Sequence, residues 1–121
     1  MKVIKIDEVE VHESEDDALF TGGKVYAQFL VDDKTAKDIN VGLVTFSPGA
    51  RNLFHTHTCE QVLYVTDGKG IVATEDEEIV ATPGMIFYIP PGEKHWHGAS
   101  KDTSFTHIAI IQPHHLEVVE K

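Results

Sequence analysis

Two histidines stand two residues apart in the stretch 49–68, where a glycine turn leads into an apolar run. If this stretch is extended, alternate side chains share a face. His55 and His57 then point the same way, and Gln61 has the same parity. A strand offers several ligands to one metal ion at this spacing, whereas a helix uses spacings of three or four. The stretch therefore predicts a metal-binding strand.

A second segment, residues 83–97, could supply the ligand that closes the metal's shell. It reads PGMIFYIPPGEKHWH and ends in two more histidines. Three close neighbours along one stretch rarely complete a metal's coordination, so we expect a histidine from a facing strand. His95 is the candidate. His97 shares its parity and is expected to face the same cavity.

Short alternating segments, separated by Gly and Pro turns, run along the chain. The predicted strands span residues 3–11, 24–31, 40–47, 61–66, 71–74, 78–81, 85–89, 95–98, 103–112 and 117–119. Residues 20–23 are predicted as a turn, 13–17 as an acidic connection, and 67–68 as a hairpin turn. Many short strands at this spacing indicate an antiparallel sandwich or barrel, and no segment has helical periodicity over three turns.

Composition narrows the class of protein. A chain of 121 residues with 41% apolar residues suits one domain with one core. No apolar run approaches the roughly 20 residues that span a membrane. The first residues lack a signal peptide's apolar core, and the single cysteine, Cys59, fits a reducing compartment. We therefore expect a cytoplasmic protein that does not bind membranes.

The net charge is −10 with histidines neutral, and the chain has no basic run. Such a chain is a poor candidate for binding a phosphate backbone, so we expect no nucleic-acid partner. The eight histidines point instead to a metal site acting on a small-molecule substrate.

The two segments together resemble the cupin superfamily. Its first motif is matched by Gly49, His55, His57, Gln61 and Gly68. Its second motif is matched by Pro83, Gly84, Pro90, Gly92 and His95. The resemblance implies a single all-β domain over residues 1–121 with its core at about 24–112, built as a small antiparallel β-barrel of jelly-roll type. One divalent metal ion would lie inside it, held by His55, His57, Gln61 and His95.

The chain departs from the common cupin pattern at one ligand. Glutamate usually stands where this chain has Gln61, and Glu60 is the alternative ligand although its parity is wrong. Three imidazoles and an amide are neutral, so the ion would keep its full double charge. Such a site should act as a strong Lewis acid and lower the pKa of bound water or substrate. Gln61 could also be a hydrogen-bonding partner to a three-histidine site.

Residues 94–99 and 106–110 carry a narrower resemblance. They are similar to small cupins related to carboxymuconolactone decarboxylase-associated proteins, a group that includes manganese-dependent hydroxynitrile lyases. That resemblance implies that His97 and His107 lie beside the metal and serve in acid-base chemistry. Taken alone, His107 could equally be a core residue. Neutral N and O ligands suit Mn, Fe, Ni, Co or Zn, with Mn favoured.

Three functions fit these residues. The leading hypothesis is a metal-dependent enzyme that makes or breaks a carbon–carbon bond, as in hydroxynitrile lyase or aldol-type chemistry. A metal-dependent dioxygenase and a non-catalytic small-molecule-binding module are the alternatives. Exposed sheet edges predict a homodimer in which residues 3–11 add to a partner's sheet.

Three further residues are given structural interpretations. Cys59 has the parity of the predicted ligands and could bind a soft metal, but we expect a small packed residue. His114 and His115 are expected to form a solvated tail.

Overall fold

The computed structural model describes residues 1–14 and 18–119, which form thirteen strands and one 3₁₀ turn at Ile6–Glu8. The strands are β1 His12–Glu13, β2 Phe20–Thr21, β3 Val25–Val31, β4 Asn40–Phe46, β5 Arg51–Asn52, β6 His55–His57, β7 Gln61–Gly68, β8 Gly70–Thr74, β9 Glu78–Ala81, β10 Ile86–Ile89, β11 His95–Ala99, β12 Phe105–Ile111 and β13 Leu116–Val118. The all-β prediction is confirmed. Within the described residues, no helix has the length and apolar character needed to cross a bilayer.

The strands form two antiparallel sheets. The first has the order β1-β3-β4-β12-β7-β10. The second has the order β13-β6-β11-β5-β2, with β8 paired to β11 and β9 paired to β8. This two-sheet arrangement is consistent with a jelly roll, and its closure into a barrel stays a prediction.

The core lies between the two sheets, because strands of both sheets contribute buried side chains to one cluster. Along β7 the alternation is regular: Leu63 and Val65 are fully buried, and Tyr64 between them is exposed. Phe46 and Phe105 add the largest apolar side chains and pack with ring centroids 6.1 Å apart and planes tilted by 31°. Alternation of this kind aims every second residue at the opposite sheet, which positions the site described below.

The predicted strands from residue 24 onward are present, with ends that differ by one or two residues. The predicted strand at residues 3–11 is wrong. The chain there makes the 3₁₀ turn, and Gln28 Nε2 donates to the carbonyl oxygens of Ile6 at 2.8 Å and Val9 at 2.9 Å. A side chain thus satisfies carbonyls that a neighbouring strand would otherwise pair, so an alternating sequence is not enough to make a strand.

Two turn predictions also need correction. Residues 67–68 are the paired end of β7, and β7 and β8 belong to different sheets, so they do not form a hairpin. Gly68 has φ +77, which favours glycine in any turn and does not say which sheet the next strand joins. Of the predicted turn at 20–23, Phe20–Thr21 form β2 instead. The acidic connection at 13–17 falls partly on 15–17, which lie outside the described residues.

Candidate metal centre

Strand register brings two of the predicted ligands face to face. In the antiparallel pair of β6 and β11, His55 lies directly opposite His95. His57 follows two residues later on the same face of β6 and pairs with Leu116 of β13. Three histidines from two chain segments therefore project from the second sheet toward the first.

The fourth predicted ligand comes from the first sheet. Gln61 begins β7, where it lies between Ile89 of β10 and Ile111 of β12. It shares the inward face of β7 with Leu63 and is 6% exposed. The predicted ligands thus approach one space from both sheets.

The three imidazole rings lie close together and are almost fully buried. Ring centroids are 4.8 Å apart for His55 and His57, 4.3 Å for His55 and His95, and 4.9 Å for His57 and His95. None of the three is more than 5% exposed. We call these three histidines together with Gln61 the ligand group.

Backbone carbonyls orient two of these rings. The Nδ1 of His55 lies 2.7 Å from the carbonyl oxygen of Leu53, and the Nδ1 of His95 lies 2.8 Å from that of Glu93. A carbonyl only accepts, so each Nδ1 must carry the proton, and each neutral ring keeps a lone pair on Nε2. A metal-ligating histidine typically donates its other N–H in this way.

Several polar atoms of the ligand group are buried without a hydrogen-bond partner in the described part of the chain. They are Nδ1 of His57, Oε1 of Gln61 and Nε2 of His95. A buried polar atom left unsatisfied costs about 1–3 kcal/mol. A cation could satisfy unpartnered nitrogen and oxygen atoms of this kind, so these residues fit a bound metal ion.

Burial also sets the charge of the rings. Desolvation, reinforced by neighbouring imidazoles, lowers the pKa of His55 to about 4 and that of His57 to about 3. Burial likewise lowers the pKa of His95. All three are therefore neutral at pH 7, and a neutral imidazole is the form that binds a metal.

The structure separates the two candidates for the fourth ligand. Gln61 points into the space between the sheets, whereas Glu60 points outward and accepts a hydrogen bond from the hydroxyl of Tyr88. The parity argument predicted this placement.

His97 and His107 form a second buried group. His97 is on β11 and His107 on β12, so their contact bridges the two sheets, with His97 Nδ1 lying 3.0 Å from His107 Nε2. Burial lowers the pKa of His107 to about 4 and holds that of His97 well below its usual range. Sequence analysis predicted both residues near the metal.

Asn52 completes this second group, and sequence analysis missed it. It is 3% exposed; its Oδ1 accepts the backbone N–H of His97 at 2.8 Å, and its Nδ2 lies 3.2 Å from Nε2 of that ring. Asn52 lies three positions before His55, so strict alternation would place the two side chains on opposite faces. The strand is interrupted between β5 and β6, so the alternation of inward and outward side chains does not continue from Asn52 to His55. We call Asn52, His97 and His107 the proton group.

Among the described residues, the set of three histidines whose nitrogens meet the distance condition for a metal contains His97 in place of His57. Nitrogen atoms of His55, His95 and His97 all lie within 4.8 Å of one another. However, both ring nitrogens of His97 already have neighbours in the proton group, whereas His57 keeps an unpartnered buried Nδ1. The distances thus favour His97 and the unsatisfied nitrogen favours His57, and we assign His57 as the ligand because a buried lone pair needs a partner.

An open cleft of about 490 Å³ is not lined by the ligand group itself but adjoins it through His114 and Ile111. Its floor includes Ala109 and Ile111, which continue the inward face of β12 beyond His107. Its rim includes His114, whose ring packs on His57 with centroids 4.8 Å apart and planes at 82°. His114 and His115 are both exposed, as the expectation of a solvated tail has it, although the chain returns here to pair β13 with β6.

Cys59 lies near the ligand group but is turned away from it. Its Sγ contacts the carbonyl oxygen of Gln112 at 3.5 Å, and the residue is half-buried. Within the described residues it therefore has the packed role that the sequence favoured.

Comparisons with known proteins agree with this geometry. A family model described as a cupin domain matches residues 42–111. The chain is 51% identical over 70 residues to an (R)-mandelonitrile lyase of Granulicella tundricola, covering 55% of this chain and 52% of that protein. It is 29% identical over 89 residues to auxin-binding protein T85 of Nicotiana tabacum, covering 64% of this chain and 48% of that protein.

Among solved structures, a cupin-like protein from Thermotoga maritima matches with a TM-score of 0.83 and 33% identity, covering 95% of this chain and 90% of that one. By contrast, the chain spans about half the length of the two curated relatives.

Proposed function

The chain belongs to the cupin domain family, and from that premise we propose that it is a metal-dependent enzyme. The ligand group, His55, His57, Gln61 and His95, would hold one divalent transition metal ion. The observation that carries this proposal is the convergence of three neutral, buried imidazoles and one unpartnered amide oxygen from two sheets.

The donor set defines the ion's chemistry. Neutral nitrogen and oxygen donors suit Mn, Fe, Co, Ni or Zn, and we propose Mn from the resemblance to manganese cupins. A divalent ion held by these four neutral donors would supply a Lewis acid of full double charge to a substrate oxygen.

We propose carbon–carbon bond cleavage of a hydroxynitrile as the reaction, and the likeness to an (R)-mandelonitrile lyase supports it. His97 would take the proton of the substrate hydroxyl. The carbonyl would form as the bond to the nitrile carbon breaks, and cyanide would leave with the electron pair and take from His97 the proton that came from the hydroxyl. The products are an aldehyde and hydrogen cyanide, so atoms and charge balance without a redox partner.

The cleft beside the ligand group is the proposed entrance for the substrate. Phe29, Ala109 and Ile111 make much of its lining apolar. A lining of this kind suits the apolar body of a small neutral molecule. The strand that carries the buried His107 runs along its floor, and a substrate would approach the proton group from this side.

Metal analysis combined with an activity assay tests the proposal. Purified protein should contain one divalent ion per chain and cleave mandelonitrile to benzaldehyde. Chelation should remove both properties, and added Mn²⁺ should restore them. A protein that takes up no divalent ion would overturn the proposal. Turnover that needs molecular oxygen would replace the lyase with a dioxygenase.

A non-catalytic binding role is the second candidate, since several relatives are named as auxin-binding proteins. In that case the metal-loaded protein would bind an aromatic carboxylate but turn over no substrate. Calorimetric titration with such a carboxylate, run beside the mandelonitrile assay, separates the two functions.

A further inference from the structure

We infer that Glu77 and Glu93 form the entrance through which a divalent cation reaches the ligand group. They stand at a second opening between the two sheets, a cavity of about 120 Å³ whose lining also includes His95. We call this opening the acidic mouth. The inference rests on the proposed function only in requiring that the ligand group binds a divalent cation.

The acidic mouth lies where no strand pairing joins the two sheets. Among the described strands, β9 pairs only with β8 and β10 pairs only with β7, so each is an edge strand. Ile79 of β9 lines the mouth from one sheet and Phe87 of β10 lines it from the other. The cavity has room for several water molecules, so a cation can enter it with part of its hydration shell.

Strand register connects the acidic mouth to the ligand group. Thr74, which lines the mouth, lies directly opposite His95 in the pair of β8 and β11. Ile89, which also lines it, lies directly opposite Gln61 in the pair of β10 and β7. Residues placed in this way have Cβ atoms about 4.5–5.5 Å apart. His95 itself lines the mouth, and its buried Nε2 has no partner in the described part of the chain.

Two carboxylates give the acidic mouth its charge. Glu77 and Glu93 are exposed, and within the described residues neither makes an ion pair with a basic side chain. The neighbouring Lys94 lies instead with its Nζ 3.5 Å from a carboxylate oxygen of Glu75. Much of the remaining lining is apolar, with Val72, Phe87 and Ile89. Charges of one sign in a cleft with apolar walls focus the field and raise the on-rate of an opposite charge by about 10–10³-fold.

The cleft of about 490 Å³ is the alternative route for the cation, because Asp32 and Asp33 are part of its lining. That lining contains no residue of the ligand group, whereas the lining of the acidic mouth contains His95. A cation drawn to the acidic mouth is therefore placed directly beside a ligand. The two routes depend on different carboxylates, so substitutions can separate them.

The rate of cation uptake tests the inference without substrate. Metal-free protein is mixed with Co²⁺ in a stopped-flow instrument, and the fluorescence of Trp96 is followed. Trp96 is the only tryptophan and adjoins His95 in the sequence, so bound Co²⁺ should quench it. In Glu77→Gln/Glu93→Gln, the second-order rate constant of uptake should fall by about tenfold, the lower end of the effect of a charged cleft.

Two further measurements accompany this variant. Uptake should still reach one ion per chain, because no ligand is removed. In about 1 M salt, which screens charges beyond roughly 3 Å, the wild-type rate should fall towards that of the variant. Asp32→Asn/Asp33→Asn is the matched control, since it removes the same charge from the larger cleft, and its uptake rate should stay near that of the wild type.

A second pair of variants does not depend on the carboxylates. Ile79 and Val80 are exposed neighbours on β9, but of the two only Ile79 lines the acidic mouth. Ile79→Lys should slow uptake by about tenfold because it places a positive charge in the entrance. Val80→Lys adds the same charge on the other face of the strand and should leave the uptake rate near that of the wild type.

The possible outcomes separate the entrance from the metal centre. Equal uptake rates in the wild type, Glu77→Gln/Glu93→Gln and Ile79→Lys would overturn the inference and leave the ligand group in place. Slow uptake in Asp32→Asn/Asp33→Asn alone would also overturn it, by assigning entry to the larger cleft. Protein that takes up no Co²⁺ in any form would reject the proposed metal centre and the entrance with it.

Discussion

The two buried polar groups of this protein are each built from histidines and one amide side chain and share β11, yet their ring nitrogens are used differently. In the ligand group, backbone carbonyls hold Nδ1 of His55 and His95, and Nε2 is left free. In the proton group, side chains contact both nitrogens of His97. Burial is similar in both groups, so burial does not distinguish a metal ligand from a base. What distinguishes them is whether the second ring nitrogen has a partner.

The largest effect should come from removing a ligand. In His55→Ala or His95→Ala, we expect the metal content of purified protein to fall to near zero. Affinity should drop by more than the roughly 100-fold that loss of an outer hydrogen-bond partner can cost. Elemental analysis and a Zn²⁺ titration measure this. If either variant keeps full occupancy, the ligand group is assigned wrongly.

Replacing residues of the proton group should lower turnover and leave the metal content unchanged. His97→Gln and His107→Gln should retain one metal ion per chain, while kcat falls by about 10²–10⁴-fold because proton transfer is lost. The comparison of metal content with turnover is the test. Loss of metal in His97→Gln would move that residue into the ligand set beside His55 and His95.

Acid should destabilise the metal-free protein. The folded-state pKa of His107 is about 4, below the value of about 6.5 expected in the unfolded chain. Below pH 6.5 the unfolded chain therefore binds a proton that the folded protein does not. The free energy of unfolding should fall as pH falls from 6.5 to 4, on the order of 2–3 kcal/mol for a shift of this size.

Urea unfolding across this pH range measures the loss, and His107→Gln should flatten the slope. Zn²⁺ should not change the His107 contribution, although it competes with protons for the ligand group. A slope unaffected by His107→Gln would show that other groups govern the acid sensitivity.

A smaller effect is expected from Gln61→Glu. A carboxylate donor halves the net charge of the bound ion, so the metal should bind more tightly but act as a weaker Lewis acid. We expect kcat to fall roughly tenfold, equal to about 1.4 kcal/mol on the barrier. Glu60→Gln is the control, since Glu60 faces outward to Tyr88 and its replacement should leave kcat unchanged. An unchanged kcat in the Gln61→Glu variant would argue against Lewis-acid chemistry.

Local alternation explains what the sequence could predict. His55 and His57 lie two apart on one short strand, and so do His95 and His97 on another, so each pair had to share a face. The two pairs meet because β6 and β11 are neighbours, and only the resemblance to a known motif pair supplied that long-range fact.

Long-range register explains what the sequence could not predict. Asn52 lies before a break in the strand, so its inward direction depends on how β5 pairs with β11. His114 meets His57 only because the chain returns to pair with β6. Residues 3–11 alternate like a strand, but their carbonyls bond to the side chain of Gln28 on β3 and not to a neighbouring strand.

The pairing of His55 with His95 across one rung of the ladder also bears on how such a site tolerates insertions and deletions. The connection between β8 and β9, at residues 75–77, can change length without moving either imidazole, because neither strand of that rung is altered. One residue inserted inside β6 would instead turn His57 toward the outer face. Among homologues, insertions and deletions should therefore occur in the connections and be absent from the short strands that carry the metal-binding histidines.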